Sequence, residues 1–196
     1  LTPNDYVSVV SVNELTNGRL AARGLCEHMV ANDKTKAGFI TFDSNFYATN
    51  QRDTSAQQLI DEDFPSIKIV AQTSFKKESE VFDKTLNLLA EYPEIEGIYT
   101  SWDGPAQQVI KALNTIDRLD IIVGTVDLDF SSALVIAEDG PIKCVSAQQP
   151  FEQGRAIGLA AAQSILYKDV PSFIAIEPIM VNKENLLHSW RTVFKE

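Results

Sequence analysis

Apolar and polar positions along this chain follow two periods that take turns from one end to the other. Residues 6–12, Tyr-Val-Ser-Val-Val-Ser-Val, alternate and are rich in β-branched side chains, which predicts a strand. Asn13 then stands as an N-cap, and Leu15, Leu20, Leu25, Met29 and Val30 predict a helix that ends near Asn32-Asp33. The same exchange recurs. Strands are expected over residues 37–42, 67–72, 98–101, 121–126, 143–147 and 176–181. Helices are expected over residues 49–62, 81–89, 106–113, 131–138, 151–167 and 184–194, with breaks at Pro65, Pro93 and Gly140-Pro141. Short connections between alternating strands and helices predict an α/β fold, a parallel sheet flanked by helices. No internal repeat or low-complexity tract interrupts it.

Open parallel α/β sheets bind ligands at the carboxyl ends of their strands, so the polar residues there are the candidates. Asn45 and Arg52 follow the second strand, Trp102 and Asp103 the fourth, Asp127 the fifth and Gln148 the sixth. Together they offer a cation, carboxylates, amides and an aromatic face. That set suits a neutral polyhydroxyl ligand: Asp accepts from hydroxyls, Arg and Gln donate to oxygens, and Trp lies against a C–H face. Each residue also has a plainer reading. Asp103 and Asp127 are placed to cap the helices that follow them, Arg52 to pair with a surface carboxylate, and Gln148 to shape the turn before Pro150. Asp103 and Asp127 could also serve as a glycosidase-like carboxylate pair, whose separation decides the chemistry.

Composition narrows the field. A net charge of −10 over 196 residues, with no basic stripe, argues against a nucleic-acid surface. No apolar run approaches a membrane span, and no signal peptide is visible on the chain as given. Cys26 and Cys144 fall in a helical and a strand pattern and read as buried hydrophobes rather than a disulfide. His28 and His188 lack partners at ligand spacing, so no metal is expected. Glycine-rich phosphate loops and Gly-x-Ser-x-Gly are absent, and no cofactor or enzymatic activity is expected.

Several spaced motifs resemble the type I periplasmic binding proteins of sugar ABC transporters, the ribose-binding-protein group, and the related effector domains of lac-repressor-type regulators. Asn13…Asn17-Gly18-Arg19-Leu20-Ala21-Ala22 is similar to the helix start after that family's first interlobe crossing. Gln51-Arg52 matches its sugar-binding Arg, and Tyr92-Pro93-Glu94-Ile95-Glu96-Gly97-Ile98-Tyr99 resembles the lead-in to its fourth strand. Thr125-Val126-Asp127 falls where the family carries a ligand-binding Asp, and Ala147-Gln148-Gln149-Pro150…Gly154 is similar to a segment whose first Gln reaches the sugar. Where many relatives have Asn-Asp, this chain has Trp102-Asp103, which points to a less hydroxylated, larger or deoxy compound.

The resemblance implies a solute-binding component that takes a sugar or polyol between two lobes and feeds an ABC permease. It would be periplasmic or extracellular, and lipid-anchored in a Gram-positive source. It places residues 13–148 and 177–196 in the second lobe and residues 1–12 and 149–176 in a remnant of the first, whose opening units the chain lacks. The helix over 151–167, apolar on nearly every side, is then expected to pair with a second copy or to retain a first-lobe fragment. The rival readings are a regulator's effector-binding domain and, more remotely, a glycosidase-like enzyme.

Overall fold

The computed structural model describes residues 5–195. Residues 1–4 and 196, which the expected lobe boundaries include, lie outside the described residues. In chain order the elements are β1 (Val9–Val12), α1 (Glu14–Ala31), β2 (Lys36–Phe42), α2 (Tyr47–Asp63), β3 (Lys68–Phe75), α3 (Val81–Glu91), β4 (Gly97–Thr100) and α4 (Asp103–Thr115). They continue through β5 (Ile122–Val126), α5 (Phe130–Ala137), β6 (Ile142–Ala147), α6 (Pro150–Ile165), β7 (Phe173–Ile176), β8 (Ile179–Asn182) and α7 (Leu186–Phe194).

Six strands form one sheet in the order β3-β2-β4-β5-β6-β8, and β1 pairs with β7 in a separate two-stranded sheet. All pairings are parallel except β6 with β8. The single last strand expected over residues 176–181 is two strands in different sheets. Pro178, which has no N–H to give a ladder, sits between them. The antiparallel pairing follows from the route of the chain. It leaves the large sheet after Ala147 and returns at Ile179, directly opposite, so β8 must run back against β6.

Two apolar clusters cover the two faces of the large sheet. One gathers Ile98, Val109, Leu113, Val123 and Ile136, and the other Leu25, Phe39, Leu59, Ile60 and Tyr99. Neighbouring residues Ile98 and Tyr99 point to opposite clusters, as the period of a strand requires. Asn13 caps α1 as expected, its Oδ1 accepting from the Thr16 N–H at 3.2 Å. The inward face of α1 is smaller than its leucines suggested. Leu15 and Val30 are exposed, while Asn17, Gly18, Ala21, Ala22, Leu25 and Cys26 are buried. Gly18 explains this, since a Cβ there would lie 2.1 Å from the carbonyl oxygen of Arg52, so the missing side chain lets α1 and α2 touch. Cys26 and Cys144 are free and buried, and burial pushes the Cys26 thiol up to about 12.

Among the described residues no helix is long and apolar enough to cross a membrane, and no group of His, Cys, Asp and Glu is placed to hold a metal ion.

Helix α6 lies over the small β1–β7 sheet, apart from the two clusters, and Ala160 is its one buried residue. Phe151, Ile157, Leu159 and Ile165 are exposed, as are Leu166 and Tyr167 just beyond it. Leaving these side chains in water forgoes ~25 cal/mol per Å² of burial, and an apolar patch of this kind drives association. The 196-residue chain is therefore expected to run larger than a monomer, or with a bound peptide, in light scattering coupled to size exclusion. Ile157→Asp with Ile165→Asp should return it to a monomer. A wild-type monomer whose α6 amides are fully protected from hydrogen exchange would contradict this.

Candidate functional site

Arg52 lies in the second turn of α2 and is only 5% exposed. A guanidinium that deep must have its donors satisfied. Its Nε donates to Glu14 Oε2 at 2.5 Å and its Nη2 to Glu14 Oε1 at 3.2 Å. Its Nη1 donates to the Ser101 carbonyl at 3.4 Å and to Asp127 Oδ2 at 3.3 Å. Burial works against the charge, yet the Glu14 hydrogen bonds and then the Asp127 charge more than offset it, so the pKa rises. The plainer reading of Arg52, a surface ion pair, does not hold.

Asp127 follows β5 with φ at 70°, a left-handed conformation that Asp adopts more readily than most residues. Its N–H donates to the Ser146 carbonyl at 2.9 Å, which pins the turn to β6. The carboxylate keeps 29% of its surface and accepts from Arg52 at Oδ2 and from Gln148 Nε2 at Oδ1, the latter at 2.5 Å. It does not cap α5. That task falls to Asp129, which forms a capping box with Ser132. Gln148 is oriented in turn by Gln153 on α6, whose Nε2 donates to Gln148 Oε1 at 3.2 Å. A cavity of about 200 Å³ opens here, lined by Asp127, Gln148, Gln153 and Phe194 among others.

Asp103 is the first residue of α4, and the N-cap position belongs to Trp102, so the expected capping role is not the one observed. Burial and the nearby Asp127 and Asp129 charges push the Asp103 carboxyl up to about 6. Trp102 is half-buried on an aromatic cluster, with ring centroids 5.2 Å from Phe42 and 5.3 Å from Phe75. These rings come from the ends of β4, β2 and β3, so the cluster forms a wall along the rim. Asn45 is exposed in the loop after β2, and among the described residues no hydrogen bond joins it to the others. The structure thus brings Arg52, Asp127 and Gln148 into one hydrogen-bonded set, places Asp103 within reach of Asp127's charge, and leaves Asn45 outside.

Sequence reasoning missed Glu14, Asn17 and Asp53. Glu14 looks like a first-turn acid, and only its partner's burial reveals it. Asp53, half-buried beside Arg52, accepts from Ser101 Oγ at 2.7 Å and Tyr99 Oη at 3.2 Å. Burial pushes its carboxyl up to about 6 against the pull of those hydrogen bonds and of Arg52. A larger depression of about 640 Å³ lies between α5 and α7, lined by Phe130, Leu134, Leu187 and Trp190. It is apolar and holds none of the hydrogen-bonded set.

The sequence matches the family described as periplasmic binding protein domain over residues 2–168, and the chain belongs to that family. Comparison with curated proteins finds no match. Among solved structures, the chain is similar to an ABC transporter periplasmic solute-binding protein from Actinobacillus succinogenes 130z with bound D-allose. The identity is 23% and the TM-score 0.84, over 92% of this chain and 64% of that one. It is similar to a periplasmic ribose ABC transporter protein from Conexibacter woesei DSM 14684, at 19% identity and a TM-score of 0.85, over 95% and 64% of the two chains. A solute-binding protein from Bacillus halodurans C-125 with bound myo-inositol matches at 21% identity and a TM-score of 0.82, over 95% and 64%. The likeness establishes the fold, and the chain spans about 64% of the length of these structures.

The raised Asp53 makes a signed prediction. Its folded pKa of about 6 exceeds the free value of 3.8, so between them the native chain binds more protons than the unfolded one. Its contribution to stability therefore falls as pH rises through that window. In Asp53→Asn the amide oxygen still accepts from Ser101 and Tyr99, so the variant should lack this loss. Urea unfolding at about pH 4.5 and about pH 7 should show the variant gaining on wild type by on the order of 2 kcal/mol at the higher pH, from ~1.4 kcal/mol per pKa unit. An equal difference at both would mean that Asp53 is not held up.

Proposed function

We propose that this chain is the larger part of a solute-binding protein that holds a sugar or sugar-like polyol between two lobes and passes it to an ABC permease outside the cytoplasm. It works by binding, without turnover. The observation that carries the reading is Asp127, held on its left-handed turn by Arg52 and Gln148 with its carboxylate partly open at the rim. A carboxylate has about four lone-pair sites, so one already accepting from Arg52 and Gln148 still has room for ligand hydroxyls. Trp102, at the end of β4 on the same rim, supplies a flat face for C–H groups, which favours a ligand with an apolar side or a deoxy position. The similar structures hold D-allose and myo-inositol, a sugar and a polyol, which supports the broad ligand class.

In this reading residues 13–148 and 177–196 form the second lobe, and residues 1–12 and 149–176 belong to the first. The separate β1–β7 sheet supports this division. So do the hydrogen bonds that gather the three linking segments, from Asn13 Nδ2 to Glu177 Oε1 at 3.0 Å and from Gln149 Nε2 to the Glu177 carbonyl at 2.8 Å. The first lobe would complete the site and cover α6, and if the source is Gram-positive a lipid anchor would hold the protein at the cell surface.

Calorimetry of the two-lobed protein against D-allose, D-ribose, D-arabinose and myo-inositol tests the reading. One member or a deoxy relative should bind, and Trp102 fluorescence should change while Trp190 reports little. Asp127→Ala should then weaken binding about ten- to a hundredfold, the equivalent of charge-assisted hydrogen bonds of roughly 1.5–3 kcal/mol. Unchanged affinity in a folded variant would remove Asp127 from the site.

A further inference from the structure

The hydrogen bonds behind the site close into a ring. Ser146 Oγ, at the end of β6, donates to Asn17 Oδ1 at 2.6 Å, and Asn17 Nδ2 donates to Glu14 Oε2 at 3.2 Å. Glu14 receives the two bonds from Arg52, Arg52 reaches Asp127, and Asp127 accepts from Gln148, two residues beyond Ser146 on the same strand end. Four members of the ring are buried: Ser146 and Asn17 at 0%, Arg52 at 5% and Glu14 at 7% exposure. Asp127 and Gln148 are the ones that reach the rim.

The distances within the ring are unequal. Glu14 takes Nε and Nη2 with its two oxygens, the shorter contact at 2.5 Å, whereas Nη1 reaches Asp127 and the Ser101 carbonyl at 3.3 and 3.4 Å. A guanidinium carries five N–H donors, and a two-point carboxylate contact fixes its plane as well as its position. Glu14 itself cannot drift, because it stands in the first turn of α1 with Asn17 tied to it one turn on, and because Gly18 holds α1 against α2. Remove the Glu14 charge and Asp127 is the carboxylate still hydrogen-bonded to Arg52, with Asp53 engaged by Ser101 and Tyr99 instead. Arg52 would close on Asp127 and occupy the lone pairs that a ligand needs.

We infer that Glu14 is a positioning residue of the ligand site: it anchors Arg52 from behind, so that Asp127 is steadied by the guanidinium without being consumed by it. The inference rests on the reading of Asp127 as a ligand contact, and it assigns a binding role to a residue that touches no ligand. Asn13, next to Glu14, is hydrogen-bonded to Glu177 on another linking segment, so the anchor stands directly on the junction between the two sheets.

The test has a part that needs no ligand. In the 196-residue chain, nitrogen-15 spectra of the arginine side chains should show the Arg52 Nε–H as strongly protected from solvent exchange, unlike those of Arg19 and Arg23. Asp127→Asn should leave that protection in place. Glu14→Gln should abolish it, and Glu14→Asp, which keeps the charge, should restore part of it. Protection lost in Asp127→Asn would make Asp127 the anchor and overturn the inference. So would protection retained in Glu14→Gln. If Glu14→Gln does not fold, the Asp127→Asn and Glu14→Asp spectra decide. The second part is calorimetry of the two-lobed protein with whichever of D-allose, D-ribose and myo-inositol binds wild type. Glu14→Gln should weaken it roughly tenfold or more, with most of the loss recovered in Glu14→Asp. Wild-type affinity in Glu14→Gln would refute the positioning role. Failure of every polyol to bind wild type would count against the proposed function while the spectra still judge the anchor.

Discussion

A positive charge buried at 5% exposure is the constraint around which this fold arranges its rim. Arg52 needs carboxylates, and they come from far apart in the chain: Glu14 from the start of α1 and Asp127 from the end of β5. For both to arrive, α1 must touch α2, which Gly18 permits, and β5 must end beside β6, which the Asp127 N–H secures through the Ser146 carbonyl. Breaking a buried pair of this sort on one side is costly, because it strands the other charge without water. Helix packing and strand register are thus tied to the same few polar atoms that stand behind the candidate site.

The same economy shows in the electrostatics. Three carboxylates cluster near the rim at Asp103, Asp127 and Asp129, and burial, then the charges of the other two, hold the Asp103 carboxyl up to about 6. Asp53 is raised to a similar value chiefly by burial, and is steadied by hydroxyl donors from Tyr99 and Ser101 on and just beyond β4. Burial works against the Arg52 charge, yet its pKa is raised, because Glu14 accepts its hydrogen bonds and the Asp127 and Glu14 charges favour the charged form.

Much of this was legible in the sequence, and the parts that were not share a cause. Alternating periods marked the strands and helices, and the carboxyl-end rule gathered Arg52, Asp127 and Gln148, which the structure joins. Asn45 obeyed the same rule yet stays exposed and outside the hydrogen-bonded set, because the rule locates a rim and says nothing of which way a loop residue faces. Residues 176–181 read as one strand since local pattern does not record that the chain changes sheets at Glu177-Pro178. Glu14 and Asp53 were invisible for a related reason: their meaning comes from partners 38 and 48 positions away. The inner face of α1 hid behind its leucines because a close helix contact selects small residues, which carry little hydrophobic signal.

The left-handed turn at Asp127 also limits how this site can change over generations. At φ 70° a branched or bulky side chain is strained, so Asp, Asn and Gly are the residues that the backbone readily accepts. Selection acting on this position can therefore trade a carboxylate for an amide, or delete the side chain, but has few other moves. Diversification towards new ligands is steered to the neighbouring wall, where Trp102 sits on an extended backbone that tolerates almost any side chain. One position is restricted by its torsion angles, and the other only by its packing on Phe42 and Phe75.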